Sequence, residues 1–284
     1  MSKVPDYLFR IFSQIYWRLP FNFFAVIFRI RNKGKIIKDL VFLRRSGLIL
    51  ISDESAKKEE FSSIYIAKRT RLHLYFKGIQ SRLEQISSQY MLEQVTSLSN
   101  GTGWIVDIGA NVGELSLAVN KFYKRNKLIL IEPSTAEHAA AVYNLKDITS
   151  RIFCTGLWFE KAEIQFYHAN ETGDSSLLPS DYSRPHDLIM VDKLDSLLFD
   201  LNIEEIDLLK LEAEGAEPEI LMGALETLKI TKYITADLGP ERGINKLRTY
   251  EQCYTILLKA GFEQISRFNG GREVYLFKNN KFQT

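Results

Sequence analysis

The sequence predicts an α/β fold in which a mostly parallel sheet, covered by helices, ends in an antiparallel hairpin. From Gly103 onward, short β-rich runs alternate with helical stretches, which is the pattern of a parallel sheet with helices on both faces. Near the end of the chain, two extended runs are joined by Asn269-Gly270-Gly271, a strong signal for a hairpin turn. The composition, with 45% hydrophobic and 25% charged residues, is that of a folded globular protein.

The predicted elements alternate along this part of the chain. A helix is expected to start at Pro133 and Ser134, because Pro suits a first helical turn and Ser caps it. The polar stretch 170–186 is predicted to be a loop long enough to cover a site. Strands are predicted at 104–108, 127–131, 152–157, 163–168, 206–211, 233–238, 262–268 and 273–278, with further helices at 114–125, 215–228 and 246–259.

Three parts of the chain are predicted. Residues 101–284 are expected to form the α/β domain, and residues 51–100 a helical connector that packs on it, with a helix over 80–98. Residues 1–50 are expected to form a basic, aromatic-rich extension of helices and a small hairpin.

The N-terminal extension concentrates positive charge. It carries ten Lys or Arg and two Asp, a formal charge of +8, which leaves −6 for the rest of the chain out of the total of +2. Arginines and Pro20 interrupt its apolar residues, so it is not expected to span a membrane. Residues 7–45 could lie on an anionic membrane surface or pack against protein, and both interpretations stay open. We expect a cytoplasmic protein whose membrane contact, if any, is peripheral and at the inner face.

Cysteine usage limits the chemistry. Cys154 and Cys253 are far apart in the sequence, which excludes a disulfide framework and a zinc site of paired cysteines. The simplest inference is a reducing compartment.

A glycine turn follows the first predicted strand. Asp107 lies near the end of that strand, and Gly109, Ala110, Asn111 and Gly113 come after it. Glycines let the backbone approach a ligand closely, and the amides that open the next helix bind electronegative groups. The Gly-x-x-x-Gly spacing differs from that of a pyrophosphate-binding turn, and a carboxylate here repels pyrophosphate but suits an ammonium group. The turn therefore favours S-adenosylmethionine, which carries such a group.

A second carboxylate follows the next strand. Glu132 stands at the strand tip, where it can accept hydrogen bonds from both hydroxyls of a ribose, and Pro133 and Ser134 adjoin it. Together with Asp107, it predicts a nucleoside site. The alternative, that both acids only cap helices, fits less well with their placement after successive strands.

Further charged residues follow two later strands. Ligands of open α/β sheets bind beyond the carboxyl ends of the strands, so these charges are expected to face the same crevice. Like charges buried together raise a carboxyl pKa or recruit a cation, which indicates a base, a metal site or a clamp for sugar hydroxyls. Glu217 is expected to be a surface or capping acid. The residues are Lys210, Glu212, Glu214 and Glu217 at the end of one strand, and Asp237, Glu241 and Arg242 at the end of the next.

Three segments together resemble the FkbM family of methyltransferases. They are residues 106–113, 131–134 and 210–217, and Leu194-Asp195 is similar to a leucine-aspartate element of that family. The resemblance spans about residues 104–240. It implies a Rossmann-like class I methyltransferase fold, S-adenosylmethionine as cofactor, and O-methyl transfer to a hydroxyl of a glycan or small metabolite. The family commonly has Asp where this chain has the longer Glu212, a difference that bears on acceptor geometry.

The resemblance gives each candidate residue a role. Asp107 and the glycine turn would hold the methionine part of the cofactor, Glu132 the ribose, and Gly156 and Leu157 would flank the adenine. One carboxylate beside Lys210 would accept the hydroxyl proton, directly or through a divalent cation. The candidates for that step are Glu212, Glu214 and Asp237.

Two other functions stay open. One is a nucleic-acid methyltransferase recruited through the basic N-terminus, and the other is a non-catalytic membrane-associated scaffold. The rest of the chain is net acidic, which disfavours the first, and the intact Asp107 and Glu132 disfavour the second. The expected partner is a small-molecule or glycan acceptor, with no nucleic acid; the oligomeric state is not predicted.

Overall fold

The structure is a computed structural model that describes residues 40–45, 47–53, 56, 61–169, 174–179 and 184–282. Most of the N-terminal extension lies outside these residues, so the predicted membrane contact of residues 7–45 stays a prediction. Within the described part of the chain, no helix is long and apolar enough to cross a membrane. The chain divides into two compact units, Met1–Arg82 and Leu83–Thr284.

The first unit contains a small antiparallel sheet. Its strands β1 (Leu40–Arg45), β2 (Leu48–Asp53) and β3 (Ser63–Ile66) are hydrogen-bonded in that order, and a 3-10 helix follows at Arg69–Tyr75. The strand β3 lies inside the segment 51–100, where helices were predicted. This part of the prediction is corrected, because β3 alternates buried Ile64 and Ile66 with less buried neighbours, as a strand does.

The second unit carries the long strands and helices of the α/β domain. Its strands are β4 (Trp104–Ile108), β5 (Leu128–Ile131), β6 (Ser150–Phe153), β7 (Gly156–Leu157), β8 (Ala162–Tyr167), β9 (His186–Asp192), β10 (Ile206–Leu211), β11 (Tyr233–Asp237), β12 (Pro240–Arg242), β13 (Leu247–Arg248), β14 (Phe262–Arg267) and β15 (Val274–Asn279). Its helices are Ile79–Gln89, which spans the boundary between the units, Ser97–Asn100, Glu114–Tyr123, Thr135–Asn144, Leu194–Phe199, Glu217–Met222, Leu225–Lys229 and Tyr250–Lys259, with a 3-10 turn at Leu92–Gln94.

Seven of these strands form one sheet in the order β14-β15-β11-β10-β4-β5-β6. The five strands from β11 to β6 are parallel, and β15 runs antiparallel to both of its neighbours. The predicted α/β fold with a closing antiparallel hairpin is therefore confirmed. The chain order reverses between β4 and β10, and ligands of such sheets bind in the crevice at this switch point.

Strand register brings the candidate residues to this crevice. Asp107 in β4 lies opposite Lys210 in β10, and Ile108 lies opposite Ile131 in β5. Glu132 and Glu212 directly follow the strands on either side of β4. The carboxyl ends of three neighbouring strands thus present their charged residues at one edge of the sheet.

Two predicted elements are divided in the structure. The predicted strand 152–157 is broken after Phe153, and its last residues form β7 in a second sheet of order β7-β9-β8. The predicted helix 215–228 is broken at Gly223, where any side chain would overlap the main-chain oxygen of Trp158.

Residues 240–248 form the hairpin β12–β13, so the helix predicted from residue 246 begins at Tyr250.

The leucine-aspartate element caps a helix of the second unit. The carboxylate of Asp195 accepts hydrogen bonds from the amides of Glu226 at 3.0 Å and Thr227 at 2.8 Å, and from the Thr227 hydroxyl at 2.7 Å. These amides open the helix Leu225–Lys229, where they have no partner within the helix.

Replacing Asp195 with Ala is expected to lower the free energy of unfolding by about 1 kcal/mol, because amides that open a helix lose their acceptor. Urea denaturation measures the change. The exposed Asp200 provides the control, since Asp200→Ala is expected to change stability by less than about 0.5 kcal/mol. Equal stability of the Asp195→Ala protein and the wild type would show that the cap contributes nothing.

Candidate active site

The turn after β4 has a backbone that few residues can adopt. Gly109 has a φ of +69°, and a side chain there would overlap the main-chain oxygen of Glu212. Asn111 and Gly113 also have positive φ angles, of +50° and +85°. The amides of Gly109 and Ala110 both donate to the carbonyl of Ile131, at 3.0 and 3.1 Å. The turn is therefore held against the tip of β5 and is closely approached by the backbone that follows β10.

Asp107 is fully buried below this turn. Its Oδ2 accepts a hydrogen bond from the Ser116 hydroxyl at 2.9 Å, and its Oδ1 lies 3.5 Å from Lys210 Nζ. Oδ1 has no hydrogen-bond partner among the described residues. Burial raises the pKa of Asp107, although the Lys210 charge opposes this shift. An unsatisfied buried acceptor suits a site that a cationic group completes.

Glu132 lies over the same turn. One of its carboxylate oxygens accepts the amide of Asn111 at 2.8 Å, and the other accepts the amide of Ser134 at 2.9 Å. The Ser134 hydroxyl donates to Glu137. The structure therefore brings Asp107 and Glu132 to neighbouring strand tips on either side of one glycine turn, and Pro133 and Ser134 continue from the second tip.

The protonation of Glu132 is expected to control cofactor affinity near neutral pH. Burial raises its pKa to about 7, and the negative charge of Glu137 adds to the shift, whereas the amides of Ser134 and Asn111 oppose it. Ribose hydroxyls donate to the ionised carboxylate, so S-adenosylmethionine should bind most tightly above pH 7. Below pH 7 its affinity should fall, by up to roughly tenfold per pH unit.

Calorimetry between pH 6 and 8 tests this expectation. The Glu132→Gln protein is the control, since any pH dependence that it retains belongs to the ligand or to other groups. An affinity of the wild type that does not change with pH, or that rises as the pH falls, would contradict the assignment of Glu132.

The residues predicted to flank the adenine lie in the second sheet. Gly156 and Leu157 are buried in β7, where Gly156 packs against the side chains of Val191 and Ile189. Cys154 directly follows β6, and its Sγ lies 3.9 Å from the carbonyl oxygen of Pro133. Contact of the adenine with Gly156 and Leu157 stays a prediction.

Lys210 links the glycine turn to Glu212. Its buried ammonium donates to the carbonyls of Ile108 at 3.0 Å and Gly109 at 2.7 Å, and lies 3.2 Å from Glu212 Oε2. Burial would lower the pKa of Lys210, but Glu212 and Asp107 raise it above its ordinary value. Lys210 is therefore a charged group that holds the turn in place.

Glu212 is held by three donors. Besides Lys210, the hydroxyl of Tyr90 and the guanidinium of Arg272 donate to its carboxylate. Burial alone would raise the pKa of Glu212, but Lys210 and Arg272 hold it well below its usual range. A carboxylate in this state is a poor proton acceptor, which favours a positioning role for Glu212 over the role of base.

Sequence reasoning missed Arg272. It follows the Gly270-Gly271 turn, and its Nε donates to Asp237 at 2.6 Å while its Nη2 reaches Glu212. Asp237 also accepts the amide of Gly239 at 3.2 Å. The pairing of β15 with β11 brings Arg272 to Asp237. The hairpin prediction did not include this pairing, so the contact could not be predicted from the sequence.

Two carboxyl groups near Glu212 are less restrained. Within the described part of the chain, the Glu214 carboxyl has no hydrogen-bond partner, and the contact of Glu241 is with Arg272 at 3.6 Å. Burial raises the pKa of Glu214 well above its ordinary value, and Glu241 and Glu212 add to the shift. Burial, together with Asp237 and Glu212, raises the pKa of Glu241 to about 8. A raised pKa makes the ionised form of a carboxyl group a stronger base.

The backbone around Glu214 is fixed by other groups. Glu214 has a φ of +51°, an uncommon value for a residue with a side chain. The Ser176 hydroxyl donates to its carbonyl at 2.8 Å, and Arg242 donates to the carbonyl of Gly215 at 2.7 Å. Such over-determined backbone is typical of functional sites.

Glu217 and Arg242 stabilise this loop. Glu217 Oε1 accepts the amides of Ala213 at 2.8 Å and Gly215 at 3.1 Å, so it is a capping acid, but a buried one. Arg242 forms a bidentate ion pair with Glu219, in which Nη2 donates to Oε1 at 2.6 Å and Nη1 donates to Oε2 at 2.8 Å. Both residues have structural partners that account for them.

No group of three or more His, Cys, Asp or Glu side chains in the described part of the chain is arranged to hold a metal ion. A cavity of about 300 Å³ lies between Leu178 and Pro179 on one side and the β12–β13 hairpin, at Arg242, Ile244 and Asn245, on the other. This hairpin also carries Glu241.

Comparison with known proteins gives one family and several relatives. The family described as "Methyltransferase FkbM domain" matches residues 107–263, more than half of the chain. A curated relative, the 2-O-methyltransferase NoeI of Sinorhizobium fredii (strain NBRC 101917 / NGR234), is 24% identical over 237 residues, which cover 77% of this chain and 96% of the relative.

Two solved structures are also similar to this chain. The methyltransferase FkbM from Methylobacillus flagellatus KT has a TM-score of 0.44 and 14% identity, over 74% of this chain. The match covers 52% of that protein, so this chain spans about half its length. The fibrillarin of Aeropyrum pernix, solved with natively bound S-adenosyl-L-methionine, has a TM-score of 0.43 and 9% identity, over 84% of this chain and 97% of that one.

Proposed function

The chain belongs to the methyltransferase FkbM domain family, and on that premise we propose that it transfers a methyl group from S-adenosylmethionine to a hydroxyl group of a glycan or small metabolite. One observation carries the proposal: Asp107 and Glu132 lie at neighbouring strand tips, on either side of a glycine turn at the switch point of the sheet. The relative NoeI is named a 2-O-methyltransferase, which supports oxygen as the methyl acceptor.

The residues present fit this cofactor. The Oδ1 atom of Asp107 forms an ion pair with Lys210 but accepts no hydrogen bond from the described residues, so it has lone pairs for the positive methionine end. The carboxylate of Glu132 has lone pairs left for two ribose hydroxyls. Gly109 has no side chain, which lets the backbone after β10 lie against the turn. Lys210 holds the carbonyls of this turn in place.

S-adenosylmethionine supplies an activated methyl group on a positively charged sulfur, so the protein needs to align the acceptor, exclude water and remove one proton. Glu214 and Glu241 are the carboxyl groups best suited to take that proton, since Glu212 is held ionised by three donors. Asp237 is held by Arg272 and the amide of Gly239. Glu212, Asp237 and Lys210 therefore position the groups that react.

Methyl transfer to defined fractions tests the proposal. The full chain is incubated with methyl-labelled S-adenosylmethionine and, separately, with glycan, lipid-linked and RNA fractions. We expect label in a glycan or lipid-linked glycan, and strongly reduced label with the Glu214→Gln protein. Label in RNA alone, or no label in any fraction from a protein that binds the cofactor, would contradict the proposed acceptor class.

A further inference from the structure

Arg272 projects from a well-anchored hairpin. The amide of Phe268 donates to the carbonyl of Val274 at 2.9 Å, and the amide of Leu238 donates to the carbonyl of Glu273 at 3.0 Å. The first bond closes the hairpin between β14 and β15, and the second ties it to the chain after β11. The side chain of Arg272 therefore starts from a fixed point beside the exit of β11.

The guanidinium of Arg272 contacts three carboxylates. Nε donates to Asp237 at 2.6 Å, while Nη2 donates to Glu212 and lies 3.6 Å from Glu241. The Arg272 side chain is 39% exposed and that of Asp237 is 2% exposed, so the guanidinium covers the acids from the solvent side. Burial would lower the pKa of Arg272, but these acids raise it well above its ordinary value. Its charge is therefore permanent.

Glu212 lies between the guanidinium of Arg272 and the glycine turn. The main-chain oxygen of Glu212 lies against Gly109, and the carboxylate of Glu212 binds both Arg272 and Lys210. Lys210 is shared with Asp107. Removal of the Arg272 charge would leave these acids with one shared cation close to the place proposed for the cofactor.

We propose that Arg272 is a positioning residue that balances the charge of this acid cluster and thereby sets how strongly the site prefers S-adenosylmethionine over its product S-adenosylhomocysteine. The inference rests on the proposed cofactor. Methyl transfer removes the positive charge of the sulfur, so excess negative charge in the site stabilises the reactant more than the transition state or the product. Binding that stabilises the reactant more than the transition state does not accelerate the reaction. The positive charge of Arg272 limits this extra stabilisation of the reactant.

Calorimetry with the two ligands tests the inference without an acceptor. Affinities for S-adenosylmethionine and S-adenosylhomocysteine are measured for the wild type, Arg272→Gln, Arg272→Lys and Arg248→Gln. Arg248 is the matched control, because it pairs with Glu273, next to Arg272 in the chain, and is 62% exposed. Two unit charges about 10 Å apart, at an effective dielectric of about 20, have an interaction energy that corresponds to a roughly tenfold change in affinity.

We expect Arg272→Gln to raise the preference for S-adenosylmethionine over S-adenosylhomocysteine by roughly tenfold. Arg272→Lys should restore most of the wild-type ratio, and Arg248→Gln should leave it unchanged. Asp237→Asn, which removes a negative charge from the same cluster, should lower the ratio, and this variant carries the test if Arg272→Gln does not fold.

Two outcomes would overturn the inference. The first is a folded Arg272→Gln protein whose affinities for both ligands fall together, which would indicate a structural role alone. The second is an Asp237→Asn protein with an unchanged or higher ratio. A wild type that binds neither ligand would instead refute the proposed cofactor.

Discussion

Replacement of Asp107 with Ala is expected to remove measurable binding of S-adenosylmethionine, a loss in affinity of roughly 100-fold or more. The substitution removes the acceptor that a cationic methionine end would satisfy. It also removes a charge 3.5 Å from the buried ammonium of Lys210, which holds the carbonyls of the glycine turn. Calorimetry on the purified protein measures the affinity.

The control for this experiment keeps the shape of the site. Asp107→Asn retains a polar group that can bond to Ser116, yet lacks the charge, so it should also bind the cofactor weakly. Ser116→Ala removes only the hydrogen bond at 2.9 Å and should cost roughly tenfold or less. A folded Asp107→Ala protein that binds S-adenosylmethionine within about threefold of the wild type would refute the assignment.

Replacement of Gly109 with Ala is expected to have an effect of similar size. An added side chain would overlap the main-chain oxygen of Glu212 and would be strained at a φ of +69°. The turn must then move away from the loop after β10, and Lys210 would lose its carbonyl partners. We expect the affinity for S-adenosylmethionine to fall by roughly 100-fold, since about 3 kcal/mol of fixed contacts are lost.

The Gly47→Ala variant tests the strain of a positive φ angle without the overlap of an added side chain with neighbouring atoms. Gly47 has a φ of +79°, but no atom of the described residues lies within 4 Å of the position of an added side chain. This variant should lose about 1 kcal/mol of stability and keep the wild-type affinity for the cofactor. If Gly109→Ala also keeps wild-type affinity, close approach of the turn to Glu212 is not required for binding.

Much of the sheet could be predicted because its signals are local. The apolar runs 104–108 and 206–211 are followed by glycine turns, and Asn269-Gly270-Gly271 specifies the closing hairpin. The strand β9 was not predicted, since its partner β8 is separated from it by the polar stretch 170–186. The predicted helix 215–228 is broken at Gly223, which lies against the backbone of Trp158, a residue far away in the sequence.

The candidate site was predictable to the extent that parallel strands align their ends. Asp107 and Lys210 lie near the carboxyl ends of two paired strands, and Glu132 follows a third, so the shared edge of a parallel sheet was enough to place them together. Arg272 and Tyr90 reach Glu212 from segments distant in the chain, and no local pattern marks such a contact. The ion pairs of Glu212, which determine its protonation, were hidden for the same reason.

A crystal structure of the full chain with S-adenosylhomocysteine bound tests the central assignment most directly. We expect the ribose hydroxyls within hydrogen-bond distance of the Glu132 carboxylate, and the amino-acid end over the turn that contains Gly109, on the side of Asp107. Binding of the nucleoside elsewhere on the molecule, with Glu132 in contact with the amides of Asn111 and Ser134 alone, would contradict the account.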